Sequence, residues 1–307
     1  MKLNKPKFWE TKNFISLLLY PLTIITFLIN FSKKFSIKKI FKIKTICIGN
    51  VFIGGTGKTS LAIEIYKLLG TKLKPVFIKK KYENHFDEIN LLKDKGKIIF
   101  TSSRENALFK AKDKKFKVAI LDDGLQQKNI HYDIKIACFN TEQGLGNEFM
   151  IPAGPLRESI NEIKKYDFVF LNGEKKNNKL ILKIKSINRN IKIYEGKYKP
   201  KNLNKFNRNK KYLMFCGIGN PQEFEKTLIK YRFKINHKVI YPDHYKISNN
   251  EITELKKKAM KDDLCLITTE KDFFRLNKNE RKNIKFLKTE LKIKNKFNFK
   301  KDLISKL

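Results

Sequence analysis

The chain has 307 residues, with 68 lysines and arginines against 30 aspartates and glutamates and a formal net charge of +38. An apolar content of 41% excludes a disordered chain, and the length suits two domains of roughly 150 residues, each with its own core. The four cysteines, Cys47, Cys138, Cys216 and Cys265, form no C-x-x-C pair and no zinc spacing, which excludes a disulfide framework and points to a reducing compartment.

The basic residues are nearly all lysine and run through the whole chain, with Asn and Ile also abundant. A biased composition produces that pattern without any partner. An RNP motif, a zinc finger and other nucleic-acid signatures are all lacking, so no nucleic acid is expected. A basic nucleic-acid-binding protein stays as a low-ranked alternative.

In chain order, the first element is "FISLLLYPLTIITFLINF", Phe14 to Phe31, uncharged over 18 residues and interrupted by Pro21. As one helix it would span about 27 Å, the short end for a bilayer. Lys5, Lys7 and Lys12 precede it, and Lys33, Lys34, Lys38 and Lys39 follow. The run is long for a secretory signal and no small-x-small cleavage site follows. Residues 1–35 therefore read as a membrane-associated helix lying in or partly entering a membrane face. A true span and a soluble core helix are the alternatives.

Next comes "GNVFIGGTGKTS", between the apolar run "TICI" and the helically spaced "LAIEIYKLL". A strand feeding a glycine-rich turn that opens a helix aims backbone N–H groups and the positive end of the helix dipole at one spot. This is a P-loop, with Phe52, Ile53, Gly54, Gly55, Thr56, Gly57, Lys58 and Thr59 as the nucleotide cradle. Lys58 reaches the outer phosphates of ATP, and the Thr59 hydroxyl holds Mg2+. The strict pattern wants glycine where Phe52 stands.

"KPVFIK", "KIIFT", "KVAIL", "IKIACF" and "DFVFLN" then read as strands, with helical spacing between several of them, as in "SRENALFKAKDK". That alternation predicts an α/β fold: a P-loop NTPase-like, mostly parallel sheet with helices on both faces, over residues 36–178. Residues 179–210 turn polar and are expected to form a connector hairpin from two strands, "LILKIKS" and "IKIYEGK". Residues 211–307 alternate again and predict a smaller C-terminal α/β domain. The cysteines sit in apolar strand-like runs, as small buried hydrophobes.

Polar clusters fall at the carboxyl ends of these strands, where such sheets place chemistry. "VAILDDGLQQ" ends in Asp122 and Asp123, which can hold magnesium opposite Thr59, or else form a solvated turn. "HFDEINLL" sets Asp87 and Glu88 at a helix start, as a cap or an acid. "YPDHYKIS" places His244 beside Asp243 in a loop, a candidate for proton transfer. "TTEKDFFRL" reads as a capped helix start.

Together "GNVFIGGTGKTS", "FDEINLL", "LDDGLQ", "GNEFMIPAGPLRES", "CGIGNPQEF", "YPDHY" and "TTEKD" resemble, in order, the tetraacyldisaccharide 4'-kinases of Gram-negative bacteria. The resemblance runs from "PKFW" near the start to about residue 272. It implies transfer of the ATP γ-phosphate to the 4'-hydroxyl of a tetraacylated glucosamine disaccharide 1-phosphate, giving the lipid A precursor lipid IVA. It implies work at the cytoplasmic face of the inner membrane, reached through the N-terminal helix. Asp87 matches the family's catalytic aspartate, assisted by His244; Arg157 and Asn50 are expected to bind substrate. Two departures stand out: "KKKYEN" at Lys79–Asn84 replaces an Arg-Gly-Tyr-Gly run, and Gln127 replaces a histidine. A P-loop kinase or NTPase with a soluble substrate is the competing enzyme class.

Overall fold

The structure is a computed structural model that describes residues 6–80, 86–243 and 245–307, with backbone alone at 86–88. It divides into two compact units. The first holds residues 6–80, 92–198 and 291–307; the second holds 199–290 together with residues 86–91.

The first unit begins with two short helices, α1 (Phe14–Leu18) and α2 (Thr23–Ser32), separated by a single 3-10 turn that contains Pro21. The expected single helix is thus broken at the proline, which cannot donate the next helical hydrogen bond. Among the described residues no helix is long and apolar enough to cross a membrane.

The chain then enters β1 (Lys44–Gly49), α3 (Lys58–Leu69), β2 (Pro75–Lys80), α4 (Phe86–Lys95), β3 (Ile98–Thr101), α5 (Arg104–Asp113), β4 (Val118–Asp122), β5 (Ile134–Asn140) and β6 (Phe168–Asn172). α6 (Asn178–Ile187) and β7 (Lys192–Pro200) follow. The sheet has eight strands in the order β12-β7-β6-β5-β1-β4-β2-β3, where β12 is Thr289–Ile293, and every pairing from β3 to β7 is parallel. β4 and β6 are buried along their whole length, as central strands covered on both faces require. A core cluster running from Ile43 to Ile191 packs helices α5 and α6 against the strands.

One expected strand is corrected. "LILKIKS" lies in α6, so residues 179–210 are not a hairpin. Leu180 and Ile184, four apart, are the buried pair, and the Asn177 side chain accepts from Leu180 N to cap the helix. The partner segment "IKIYEGK" is β7, paired with β6 in the main sheet.

The second unit carries β8 (Lys211–Cys216), α7 (Pro221–Lys230), β9 (Lys234–Ile240), α8 (Asn249–Lys261), β10 (Leu264–Thr269), α9 (Glu270–Arg275) and β11 (Ile284–Leu287). Its sheet is parallel throughout, in the order β11-β10-β8-β9, with apolar clusters on both faces. "TTEKD" is a capped helix start: Thr269 accepts from Asp272 N at 3.1 Å, and buried Asp272 pairs with Arg275. After β12, α10 (Lys296–Ile304) completes the first unit, with Phe299 fully buried against Phe168, Phe170 and Tyr194. The expected C-terminal domain of 211–307 thus gives its last residues to the first unit.

Candidate active site

Strand register sets the site. Ile48 of β1 stands opposite Asp122 of β4, and Leu121 of β4 stands opposite Ile78 of β2. The carboxyl ends of three adjacent strands therefore bring the P-loop, Asp122 and Lys79 together.

The P-loop departs from its usual form at Phe52, and the reason is visible. Phe52 is buried in the core, forms an antiparallel bridge with Leu156, and is followed by an Ile53 N–H bonded to Pro155 O at 2.8 Å. Arg157 N returns a bond to Val51 O at 2.7 Å. The loop is thus stitched to "PAGPLRES" where a glycine would have no side chain to bury. Gly57 caps α3 with φ +86°, and a Cβ there would stand 2.6 Å from Asn172 Nδ2 and 3.0 Å from Tyr198 OH. Only glycine fits that turn.

Asn50 is fully buried. Its Nδ2 donates to Phe52 O and, at 3.3 Å, to Gly54 O, while its Oδ1 accepts from Arg157. It braces the loop from within.

The two aspartates have different surroundings. Asp122 is fully buried; Oδ2 accepts from Thr59 Oγ1 at 3.0 Å and from Lys79 Nζ at 2.6 Å, and Oδ1 has no hydrogen-bond partner among the described residues. Asp123 is held with φ +63° and meets cations: Arg157 Nη1 at 2.8 Å and Lys58 Nζ at 3.7 Å from Oδ1. Burial pushes the Asp123 carboxyl up, but Lys58 and Arg157 outweigh it and hold the group at about 2. Asp123 is therefore a fixed anion that orients the two cations.

A donor set of one hydroxyl and one carboxylate with an orphaned oxygen suits magnesium, a hard ion that keeps waters and draws further ligands from phosphate. Thr59 and Asp122 fit it; Asp123 is taken up by Lys58 and Arg157. Among the described residues no group of three or more His, Cys, Asp or Glu is placed to hold a metal by itself. Beside the site the Cys47 thiol is pushed up to about 12 by burial, which makes it inert. All four cysteines are free.

Of the expected catalytic pair, Asp87 lies in the first turn of α4 with its side chain outside the described part, and His244 is outside the described residues altogether.

The LpxK family, tetraacyldisaccharide-1-P 4'-kinase, matches residues 15–307. This chain belongs to that family. A tetraacyldisaccharide 4'-kinase of Pelagibacter ubique is 45% identical over 99% of this chain and 98% of its own length. One from Rickettsia bellii is 32% identical over 90% of each. A crystal structure of LpxK from Aquifex aeolicus in complex with ATP superposes with a TM-score of 0.70 over 95% of this chain and 99% of that one, at 20% identity. The family's fold, a P-loop NTPase-like mostly parallel sheet, is the fold seen here.

Several members of the site escaped the sequence reading. Arg104 donates to Asp123 O at 2.6 Å and Gln127 Oε1 at 3.0 Å. Gln126 ties Arg157 to Asn50 O, and buried Glu158 accepts from Lys128 at 2.8 Å. Buried Asn172, at the end of β6 beside Gly57, has neither amide atom hydrogen-bonded among the described residues. One signal was available. The chain has only seven arginines among its 68 basic residues, and two of them, Arg104 and Arg157, bond the same Asp123. Arg157 was read from its place in "PAGPLRES".

Proposed function

We propose that the protein is an ATP-dependent lipid kinase that works on a membrane surface. It transfers the γ-phosphate of ATP to the 4'-hydroxyl of a tetraacylated glucosamine disaccharide 1-phosphate. The observation that carries this is the head of α3: Lys58 faces fixed Asp123, and Thr59 is hydrogen-bonded to Asp122, in a chain of the LpxK family.

Phosphoryl transfer asks the protein for position and charge more than for covalent chemistry. The backbone from Phe52 to Thr59 cradles the phosphates, and the Lys58 ammonium stabilises charge on the transferring group. Thr59 and Asp122 would hold magnesium, which supplies neutralisation of the β- and γ-phosphate oxygens when bound. Asp123 keeps Lys58 and Arg157 aimed at one place. The Arg157 fork suits a phosphate of the lipid, and its second guanidinium nitrogen remains for that contact. Asp87 takes the proton of the attacking hydroxyl, with His244 as its partner.

Membrane attachment rests on the N-terminal segment. Phe14, Leu18, Ile24, Ile25, Leu28 and Phe35 are exposed, a large apolar surface for one stretch. The opposite side is fastened to the site's loops: Trp9 Nε1 donates to Pro152 O at 2.9 Å, Thr26 Oγ1 to Ile151 O at 2.6 Å, and Asn30 Nδ2 to Arg157 O at 2.8 Å. The segment lies in the cytoplasmic leaflet, where its lysines meet anionic headgroups, and it holds "IPAGPLR" near the lipid.

Acceptor selection tests this reading. Purified protein with ATP and magnesium should phosphorylate detergent-dispersed tetraacyl disaccharide 1-phosphate and leave deacylated disaccharide and free sugars nearly untouched. Equal rates on the soluble acceptors would make it a kinase of another class.

A further inference from the structure

Lys79 is the second-to-last residue of β2 and opens the run that departs from the family's Arg-Gly-Tyr-Gly pattern. It is 4% exposed, and lysine is almost never buried to that degree unless paired. Its Nζ stands 2.6 Å from Asp122 Oδ2. That oxygen already accepts from the Thr59 hydroxyl, so two donors converge on it while the buried Oδ1 receives none among the described residues. Asp122 is therefore lopsided: one oxygen is saturated and the other is kept open in a place without solvent. A buried carboxylate in that state is stable only with a counter-charge at hand and an occupant for its free side.

We infer that Lys79 is the resident counter-cation of the magnesium site: its ammonium neutralises Asp122 between turnovers and fixes the carboxylate so that Oδ1 alone is offered to the incoming ion. The inference rests on the metal role proposed for Thr59 and Asp122. Two consequences follow from the charges. An ion entering beside a fixed ammonium is repelled by it, so Lys79 weakens divalent binding. Asp122, compensated in this way, would hold a magnesium ion well only together with a nucleotide, whose phosphates add the missing negative charge. The ammonium also adds to the field that holds Asp123 ionised. Lys79 is a positioning residue here, acting on the reaction through Asp122.

The probe is Mn2+, followed by its EPR signal with full-length protein and ADP present. Lys79→Met keeps the length of the side chain and removes the charge. It should bind Mn2+ about fivefold more tightly or better, the low end of ordinary couplings between binding events. Its thermal midpoint in EDTA should fall below that of the native chain, and saturating Mn2+ should recover most of the loss. Lys79→Arg, which keeps the charge, should bind Mn2+ with native affinity. A merely structural lysine predicts the reverse: a loosened site that binds Mn2+ more weakly. Unchanged or weaker Mn2+ binding in Lys79→Met overturns the inference.

Should Lys79→Met fail to fold in EDTA, the double variant Lys79→Met with Asp122→Asn removes the stranded charge and is expected to fold; a double variant as unstable as the single one overturns the pairing. The single variant Asp122→Asn separates the two levels of the argument. It should lose Mn2+ binding. If it keeps full affinity, the metal assignment itself falls, whereas native-strength binding lost in Asp122→Asn but not tightened in Lys79→Met removes the inference alone.

Discussion

Replacing Arg157 by methionine perturbs the cationic network at its most connected atom. Nη1 donates to Asp123 Oδ1 at 2.8 Å, Asn50 Oδ1 at 3.0 Å and Gln126 Oε1 at 3.2 Å. Lys58 Nζ stands 3.7 Å from the same Asp123 oxygen. Methionine keeps the stem and removes the fork, which leaves Lys58 as the ion-pair partner described for Asp123. The ammonium must then be drawn off a carboxylate it no longer shares before it can face a phosphate. A hydrogen bond involving a charged group is worth roughly 1.5–3 kcal/mol, so kcat/KM should fall about ten- to hundredfold. Initial rates of ADP release with detergent-dispersed lipid measure this, with circular dichroism as the check on folding. Adding Asp123→Asn should return part of the loss, because a neutral amide releases Lys58. A folded Arg157→Met enzyme with native kcat/KM refutes the reasoning, and so does a double variant no better than Arg157→Met.

Three further expectations concern other parts of the chain. Asp87→Ala and His244→Ala should each lower kcat strongly with little change in KM for ATP, and the double variant should be hardly worse than the poorer single one; fully multiplicative losses would show the two acting apart. Asp123, held at about 2 against an ordinary 3.8, stabilises the fold above pH 4, and that contribution drains away as pH falls from 4 to 2. The stability gap between the native chain and Asp123→Asn in urea should therefore narrow by roughly 2 kcal/mol at most over that window, less for solvent screening of a side chain that is 29% exposed, and a constant gap would contradict it. Leu18→Ser, Ile25→Ser and Leu28→Ser together should cut flotation with anionic vesicles at least about tenfold without unfolding the protein, since each such side chain contributes roughly 1.5–3 kcal/mol when fully buried. Undiminished flotation would remove the N-terminal segment as the membrane contact.

The main strands were legible because β1, β2 and β4 to β6 are short apolar runs bounded by turn residues, and a parallel sheet buried on two faces demands such runs. α6 was misread because "LILKIKS" satisfies both periods: alternation suggests a strand, while Leu180 and Ile184 share a helix face. The Asn177 cap was the deciding signal and lay outside the run. The return of β12 and α10 to the first unit was invisible, since a lysine-rich tail gives no periodic warning that Phe299 is to be buried. At the site, Lys58, Thr59 and the aspartate pair follow from motif spacing, which records the local turn. Which aspartate meets which cation depends on strand register and on Lys79, 43 residues before Asp122, and no local pattern carries that. The same holds for Asn50: beside a P-loop, a bracing amide and a substrate-facing amide have one sequence signature.

The most direct test of the account is the position of the new phosphate. The protein is incubated with ATP, magnesium and tetraacyl disaccharide 1-phosphate, and the lipid product is examined by 31P NMR with proton correlation. The account predicts a second phosphomonoester coupled to the proton at the 4'-carbon, formed by the native chain and lost, by a barrier increase of roughly 3 kcal/mol or more, in a folded Lys58→Ala variant. Phosphate at another hydroxyl, free phosphate with the lipid unchanged, or undiminished product from Lys58→Ala would contradict it.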